Sequence, residues 1–335
     1  MAVLTTGKLP VRLTPLVGRE AELGEVNRAL AQCRLLTLTG PGGAGKTRLA
    51  LAVATGLAAA DGAHAPEVGA AAGQPTDVAW VELAPLADPQ LIAPAVGATL
   101  GVPETQEADQ AAAIAAHLSA RAGAGGGPLL LVLDNCEHLA AASASLAERL
   151  LADCPALRIL ATSREPLGVE GERSWPVPPL DRAHAAMLFQ DRARQVAPSF
   201  TITDANKQAV AQVCARLDGL PLAIELAAAR IRVLSVGQLA QRLDDALGVL
   251  QGGARSAPAR HRALRATLDW SHDLLTTDER AVFRRLAVFA GGCPLAAAEQ
   301  VAAFGGIAAG DVLDLLARLA DKSLLRVENE RYQLL

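Results

Sequence analysis

A three-layer α/β/α domain on a parallel sheet, then an all-α domain, then a small helical domain closed by a hairpin, is the fold class these 335 residues predict. Three observations carry it. Apolar runs of strand length alternate with helix-period segments through about residue 180, the pattern of parallel strands joined by crossover helices. From Asp181 the strand signal vanishes and apolar residues recur at helical spacing. At the end, Leu324–Val327 and Arg331–Leu335 read as a hairpin after three or four helices, a winged-helix pattern. The boundaries that follow are 1–180, 181–255 and 256–335.

Residues 1–15 read as an extended arm, Pro10 and Pro15 preventing early helix. Leu16-Val17-Gly18-Arg19-Glu20 leads into a helix over Glu20–Gln32, with Leu23, Val26 and Leu30 on one face. Leu35–Thr39 is a buried strand. It breaks at Gly40-Pro41-Gly42-Gly43-Ala44-Gly45, and Lys46-Thr47-Arg48 open the next helix, which runs through Ala60. This is G-x-x-x-x-G-K-[ST] between a strand and a helix, the context that identifies a phosphate-binding loop. Its glycines let backbone N–H groups close around phosphate oxygens with no Cβ in the way. The helix N-terminus adds partial positive charge. Lys46 supplies a point charge to the outer phosphates, and the Thr47 hydroxyl can ligate Mg²⁺. Gly40, Gly42, Gly43, Ala44, Gly45, Lys46, Thr47 and Arg48 are therefore the expected phosphate contacts.

Residues 61–76, rich in Ala, Gly and Pro, read as a surface loop, and Val78–Leu83 as the next strand. Ala111–Arg121 is helical. Leu129–Leu133 is an uninterrupted apolar run ending in Asp134, a buried parallel strand with a carboxylate at its C-terminal edge, where α/β sheets bind ligands. With the phosphate loop upstream, Asp134 is the expected Walker B acid, holding Mg²⁺ directly or through water. Leu157–Ala161 is a further strand, and Arg164 beyond its edge would point toward a γ-phosphate. Helices follow over Ala183–Val196, around Val210–Leu217 and over Ala223–Ile231, with Gly252–Pro258 as a linker. The last unit reads as helices Ala263–Leu275, Asp278–Phe289, Leu295–Ala303 and Val312–Leu319 before the hairpin, and Thr276-x-x-Glu279 fits a capping box.

Composition bounds the function. The hydrophobic fraction of 51% and charged fraction of 20% describe a folded chain, and aromatics at 3% leave Leu, Val and Ala to build the core. A net charge of −4 gives no electrostatic reason for nucleic-acid binding by the whole chain. Five scattered cysteines without C-x-x-C spacing support neither zinc nor a disulfide framework and fit reduced thiols in a cytoplasmic protein. No signal peptide and no apolar run long enough to span a membrane is apparent.

In order along the chain, several stretches resemble the STAND class of P-loop ATPases, in the NB-ARC-like group. They are most similar to the ATPase module of actinobacterial AfsR/SARP-type and large LuxR-type transcription regulators. The matching stretches are Leu16–Glu20, the phosphate loop, Trp80–Leu83, Leu131–Leu139, Ala161–Leu167, Gly219–Arg230, Arg262–Ser271, Phe289–Cys293 and Asp321–Leu325. The resemblance implies three domains that close over ADP and rearrange with ATP. It places Val17 and Arg19 near the adenine, packs Pro221 on it, and makes Arg164 the sensor of the γ-phosphate. It also implies homo-oligomers on activation, with DNA or RNA polymerase engaged only through effector domains that this chain lacks.

Two departures qualify it. Where strong hydrolysers of the family carry a second acid after the Walker B aspartate, this chain has Asn135, and an amide cannot act as general base. Slow hydrolysis is expected unless Glu137 substitutes. Where NB-ARC proteins place a histidine that reaches ADP, Tyr332 aligns, so the ADP state would be latched differently. The leading reading is an ATP/ADP switch with weak ATPase activity. The alternatives are a turnover NTPase, which Asn135 disfavours, and a DNA binder using Arg255, Arg260, His261, Arg262 and Arg265, which the net charge disfavours.

Overall fold

The computed structural model describes residues 9–59, 77–103, 109–243, 275–289, 292–322, 324–328 and 330–334. The loop expected at 61–76, the linker at 252–258, the helix at 263–275 and the basic cluster around Arg255–Arg265 lie outside the described residues, wholly or all but their last residue. The described residues fall into two units. One holds those up to Thr39 and from Lys46 to Val177; the other holds Gly40–Gly45 and everything from Pro178 onward.

The first unit is built on a five-stranded sheet in the order β2-β3-β4-β1-β5, every neighbouring pair parallel. Its strands are β1 (Leu35–Thr39), β2 (Asp77–Glu82), β3 (Leu129–Asp134), β4 (Leu157–Thr162) and β5 (Glu172–Pro176). Its helices are α1 (Glu20–Gln32), α2 (Lys46–Ala58), α3 (Ile92–Leu100), α4 (Gln110–Gly123) and α5 (Ala140–Asp153). Alternation along β3 explains the layering. Leu129, Leu131 and Leu133 share a core with residues of α3, α4 and α5, while Leu130 and Val132 point the other way and are equally buried. Both faces of the strand are covered, which is why it reads as an unbroken apolar run. On α2, Leu49, Val53 and Leu57 are buried at the spacing expected of one helix face.

Three elements of this unit were not expected from the sequence. Helix α3 contains Pro94 and Gly97, both poor helix formers, yet Ile92, Val96 and Leu100 are buried on one face and packing overrides propensity. Helix α5 is masked in sequence by its run of small residues, but Leu146, Leu150 and Leu151 reach the core. Strand β5, Glu-Arg-Ser-Trp-Pro, has a mostly solvent-facing surface and owes its conformation to ladder bonds with the edge of β1.

The second unit continues with α6 (Arg182–Val196), α7 (Lys207–Arg216), α8 (Pro221–Ala228) and α9 (Val236–Arg242). Asp181 caps α6 by accepting from the His184 N–H at 2.9 Å, and Ser235 with Gln238 forms a capping box on α9. A buried Arg192 Nε donates to Glu225 Oε1 at 2.8 Å, tying α6 to α8. Further along come α10 (Thr277–Leu286), β6 (Cys293–Pro294), α11 (Leu295–Ala302), α12 (Ala309–Asp321), β7 (Leu325–Glu328) and β8 (Arg331–Leu334). The expected capping box at Thr276 and Glu279 is present, and buried Glu279 also accepts from Lys322 Nζ at 2.7 Å. β7 and β8 form the expected antiparallel hairpin, and β6 adds to β8. Tyr332 lies on β8, half-buried against a core that includes Val282, Leu286, Val312, Leu316 and Leu319. Among the described residues no helix is long and apolar enough to cross a membrane.

Candidate nucleotide site

The strand order decides the site. With β4 between β1 and β3, the C-terminal ends of the strands carrying the phosphate loop and Asp134 flank that of β4. In register, Leu38 of β1 faces Thr162 of β4, and Leu133 of β3 faces Ala161. Asp134 and Thr162 are therefore neighbours, and the Thr162 hydroxyl donates to Asp134 Oδ1 at 2.6 Å. From the first turn of α2, the Thr47 hydroxyl donates to the same oxygen at 2.8 Å. Thr162 Oγ1 also accepts from the Asn135 N–H at 2.8 Å, so one hydroxyl positions both the acid and the turn after it. Nothing in the sequence reading gives Thr162 a role. A hydroxyl residue closing the strand that follows the aspartate strand was the signal available.

Burial sets the electrostatics. Lys46 is almost wholly buried, and desolvation pushes its ammonium down to about 8, against the opposing pull of the Glu137 carboxylate, while Arg164 adds to the fall and Asp134 counters it. Burial also pushes Asp134 above the usual carboxylate range, only partly offset by hydrogen bonds from Thr162 and Thr47. A phosphate beside Lys46 and a divalent cation beside Asp134 would favour the charged form of each. One hydroxyl and one carboxylate suit Mg²⁺, which completes its octahedron with water and phosphate oxygens rather than with a protein cage. No cluster of three or more His, Cys, Asp or Glu able to hold a metal occurs among the described residues.

Arg164 and Glu137 are both buried and paired, Nε to Oε1 at 3.2 Å. Asn135 adopts the left-handed conformation (φ 69°, ψ 55°), which asparagine tolerates better than most residues, and the short 3₁₀ turn Cys136–Leu139 after it carries Glu137. Arg19 follows the left-handed Gly18, is buried, and pairs with Glu22 at 2.6 Å; Val17 is half-buried. The Arg48 guanidinium donates through Nη2 to the carbonyls of Thr14 and Pro15, each at 2.7 Å, and so anchors the arm.

Within the second unit, Gly40, Gly43 and Gly45 all have positive φ (142°, 85° and 95°), backbone that L side chains rarely adopt. Gly43 O accepts from the Leu222 N–H at 3.2 Å, and a Cβ on Gly43 would lie 2.9 Å from Leu222 Cβ. Pro221 opens α8, where its missing N–H costs nothing, and its Cγ would lie 3.9 Å from a Cβ on Gly45. The structure thus places Pro221 beside the loop glycines.

A glycine loop leading into a helix, a lysine and a hydroxyl at its start, and an acid at the end of the parallel strand one beyond the adjacent strand define a P-loop ATPase. Residues 15–162 match the family described as the AAA ATPase domain. The chain belongs to the same family as a Mycobacterium tuberculosis protein carrying the name "Uncharacterized protein", 41% identical over 326 residues that cover 95% of this chain and 77% of that one. A Mycobacterium tuberculosis "Putative HTH-type transcriptional regulator" is 45% identical over 311 residues, covering 91% of this chain but 33% of the regulator. The chain therefore spans about a third of that relative's length. Among solved structures, a Walker-type ATPase of Pyrococcus abyssi shares the fold, with TM-score 0.60 at 14% identity over 96% of each chain.

Proposed function

We propose that this chain is an ATP/ADP-operated switch, the slow ATPase core of a transcriptional regulator. The observation that carries it is the buried set Thr47–Asp134–Thr162, a hydroxyl and a carboxylate suited to Mg²⁺, next to a phosphate loop whose lysine, Lys46, is buried. Gly40–Gly45 and Lys46 would hold the phosphates, and Thr47 and Asp134 the Mg²⁺, which supplies charge neutralisation at the phosphates. Val17, Arg19 and Pro221 would bound the adenine. Asn135 offers no base, which favours a long-lived bound state over turnover.

Switching would follow from a difference in affinity of the two states for the two nucleotides. A shift from mostly one state to mostly the other needs roughly 5 kcal/mol of differential affinity. Two or three charge-assisted contacts of about 1.5–3 kcal/mol each supply that. Among the described residues from 275 on, the order α10–β6–α11–α12–β7–β8, with β6 paired to β8, supports a winged-helix reading. There α12, the helix before the hairpin, exposes Asp311 and Asp314 against Arg318, a face that repels phosphate and disfavours direct DNA binding. DNA contact, and oligomer-dependent output, would come through effector domains such as the HTH named in the longer relative. Titrating ADP and ATP with Mg²⁺ onto the purified chain tests the reading. Binding with turnover below about one per minute is expected; absence of binding, or fast steady turnover, refutes it.

A further inference from the structure

The Glu137–Arg164 pair has features that stability does not explain. Both side chains are less than a tenth exposed, and a buried pair of this kind seldom stabilises a fold more than apolar residues would. The second carboxylate oxygen of Glu137, Oε2, is buried without a hydrogen-bond partner, an arrangement that costs free energy. The backbone is nonetheless shaped to hold it there. Asn135 takes a left-handed conformation, its N–H is tied to Thr162, and the 3₁₀ turn follows at once. Glu137 and Arg164 both act electrostatically on Lys46, with opposite sign, so the pair lies within charge range of the phosphate-loop lysine.

We propose that Glu137 is the resident counter-anion of Arg164, exchanged for the terminal phosphate when a nucleoside triphosphate binds and regained when only a diphosphate is present. The inference rests on the nucleotide reading above and adds the residue that sets the balance between the two ligands. A triphosphate must win the guanidinium from Glu137 and sit near its negative charge. A diphosphate leaves the pair intact. Glu137 thereby taxes the triphosphate selectively and holds the switch toward its diphosphate state.

The test is calorimetric titration of the full chain with ADP and with a non-hydrolysable ATP analogue, each with Mg²⁺, for wild type, Glu137→Gln, Arg164→Ala and the double variant. Thermal unfolding of each confirms that it is folded. Glu137→Gln should tighten the triphosphate analogue by about ten- to a hundredfold and leave ADP within about twofold. In the Arg164→Ala background the same substitution should shift the ratio far less. An unchanged ratio for Glu137→Gln overturns the exchange, and so does a ratio moved toward ADP, which would mean that Glu137 orients Arg164 onto the phosphate. Those failures differ from failure of the nucleotide reading itself, in which the wild type binds neither ligand and the proposal falls with it.

Discussion

Replacing Lys46 with methionine separates what this residue does for a ligand from what it does for the fold. Methionine keeps an unbranched apolar stem and removes the ammonium. In the nucleotide-free protein the ammonium is a burden: burial lowers it from 10.5 to about 8. At 1.36 kcal/mol per tenfold change this corresponds to about 3 kcal/mol against the charged form in the native state. Below pH 8 lysine is charged in both folded and unfolded chains, so the native state bears that cost in full. Between about pH 8 and 10.5 the unfolded chain still holds the proton that the native lysine sheds, so stability rises with pH across this window. The Met variant should lack the rise and, near pH 7, should be more stable by up to about 3 kcal/mol, read as a higher urea midpoint. Nucleotide affinity should move the other way, falling roughly ten- to a hundredfold on the loss of a charge-assisted phosphate contact. Titration calorimetry with Mg²⁺–ADP measures it. Unchanged affinity would refute the assignment of Lys46 to phosphate, and a variant less stable than wild type without ligand would refute the cost assigned to its buried charge.

Thr162→Ala strips a hydrogen bond from Asp134 and leaves the Asn135 N–H without its acceptor, so urea unfolding should show a loss of about 1–3 kcal/mol, with Thr162→Ser close to wild type. The same change should weaken the Mg²⁺ dependence of nucleotide binding, measured by titration with and without EDTA. Gly219→Ala places a Cβ 2.3 Å from the Leu180 carbonyl oxygen at a positive φ, and calorimetric melting should register a loss of at least about 1–3 kcal/mol. Glu279→Ala removes a capping box and leaves Lys322 without its carboxylate, a cost of about 2–3 kcal/mol by chemical denaturation; Glu279→Gln, which can still cap, should recover about 1 kcal/mol of it.

Much of the site was legible because its chemistry is local. The phosphate loop is a contiguous run whose glycines need backbone that other residues resist, and Gly40, Gly43 and Gly45 do have positive φ. Asp134 was legible because a doubly covered parallel strand must be apolar throughout, which makes a terminal carboxylate conspicuous. The capping box at Thr276 and Glu279 was legible for the same local reason. What sequence left hidden depends on partners distant in the chain. Strand β5 is polar, and only the free edge of β1 makes it a strand. Helix α3 breaks propensity at Pro94 and Gly97 and persists by burial.

The amino-acid order by itself determined the local conformations that no packing needs to select: the glycine loop, the apolar strands, the helix caps and the types of residue set at their ends. Tertiary structure decided which of those ends meet. Placing β4 between β1 and β3 set Thr162 on Asp134 and brought Arg164 to Glu137 across 27 residues of chain. Strand order is a property of long-range hydrogen bonding and two-faced burial, and no short window of sequence contains it.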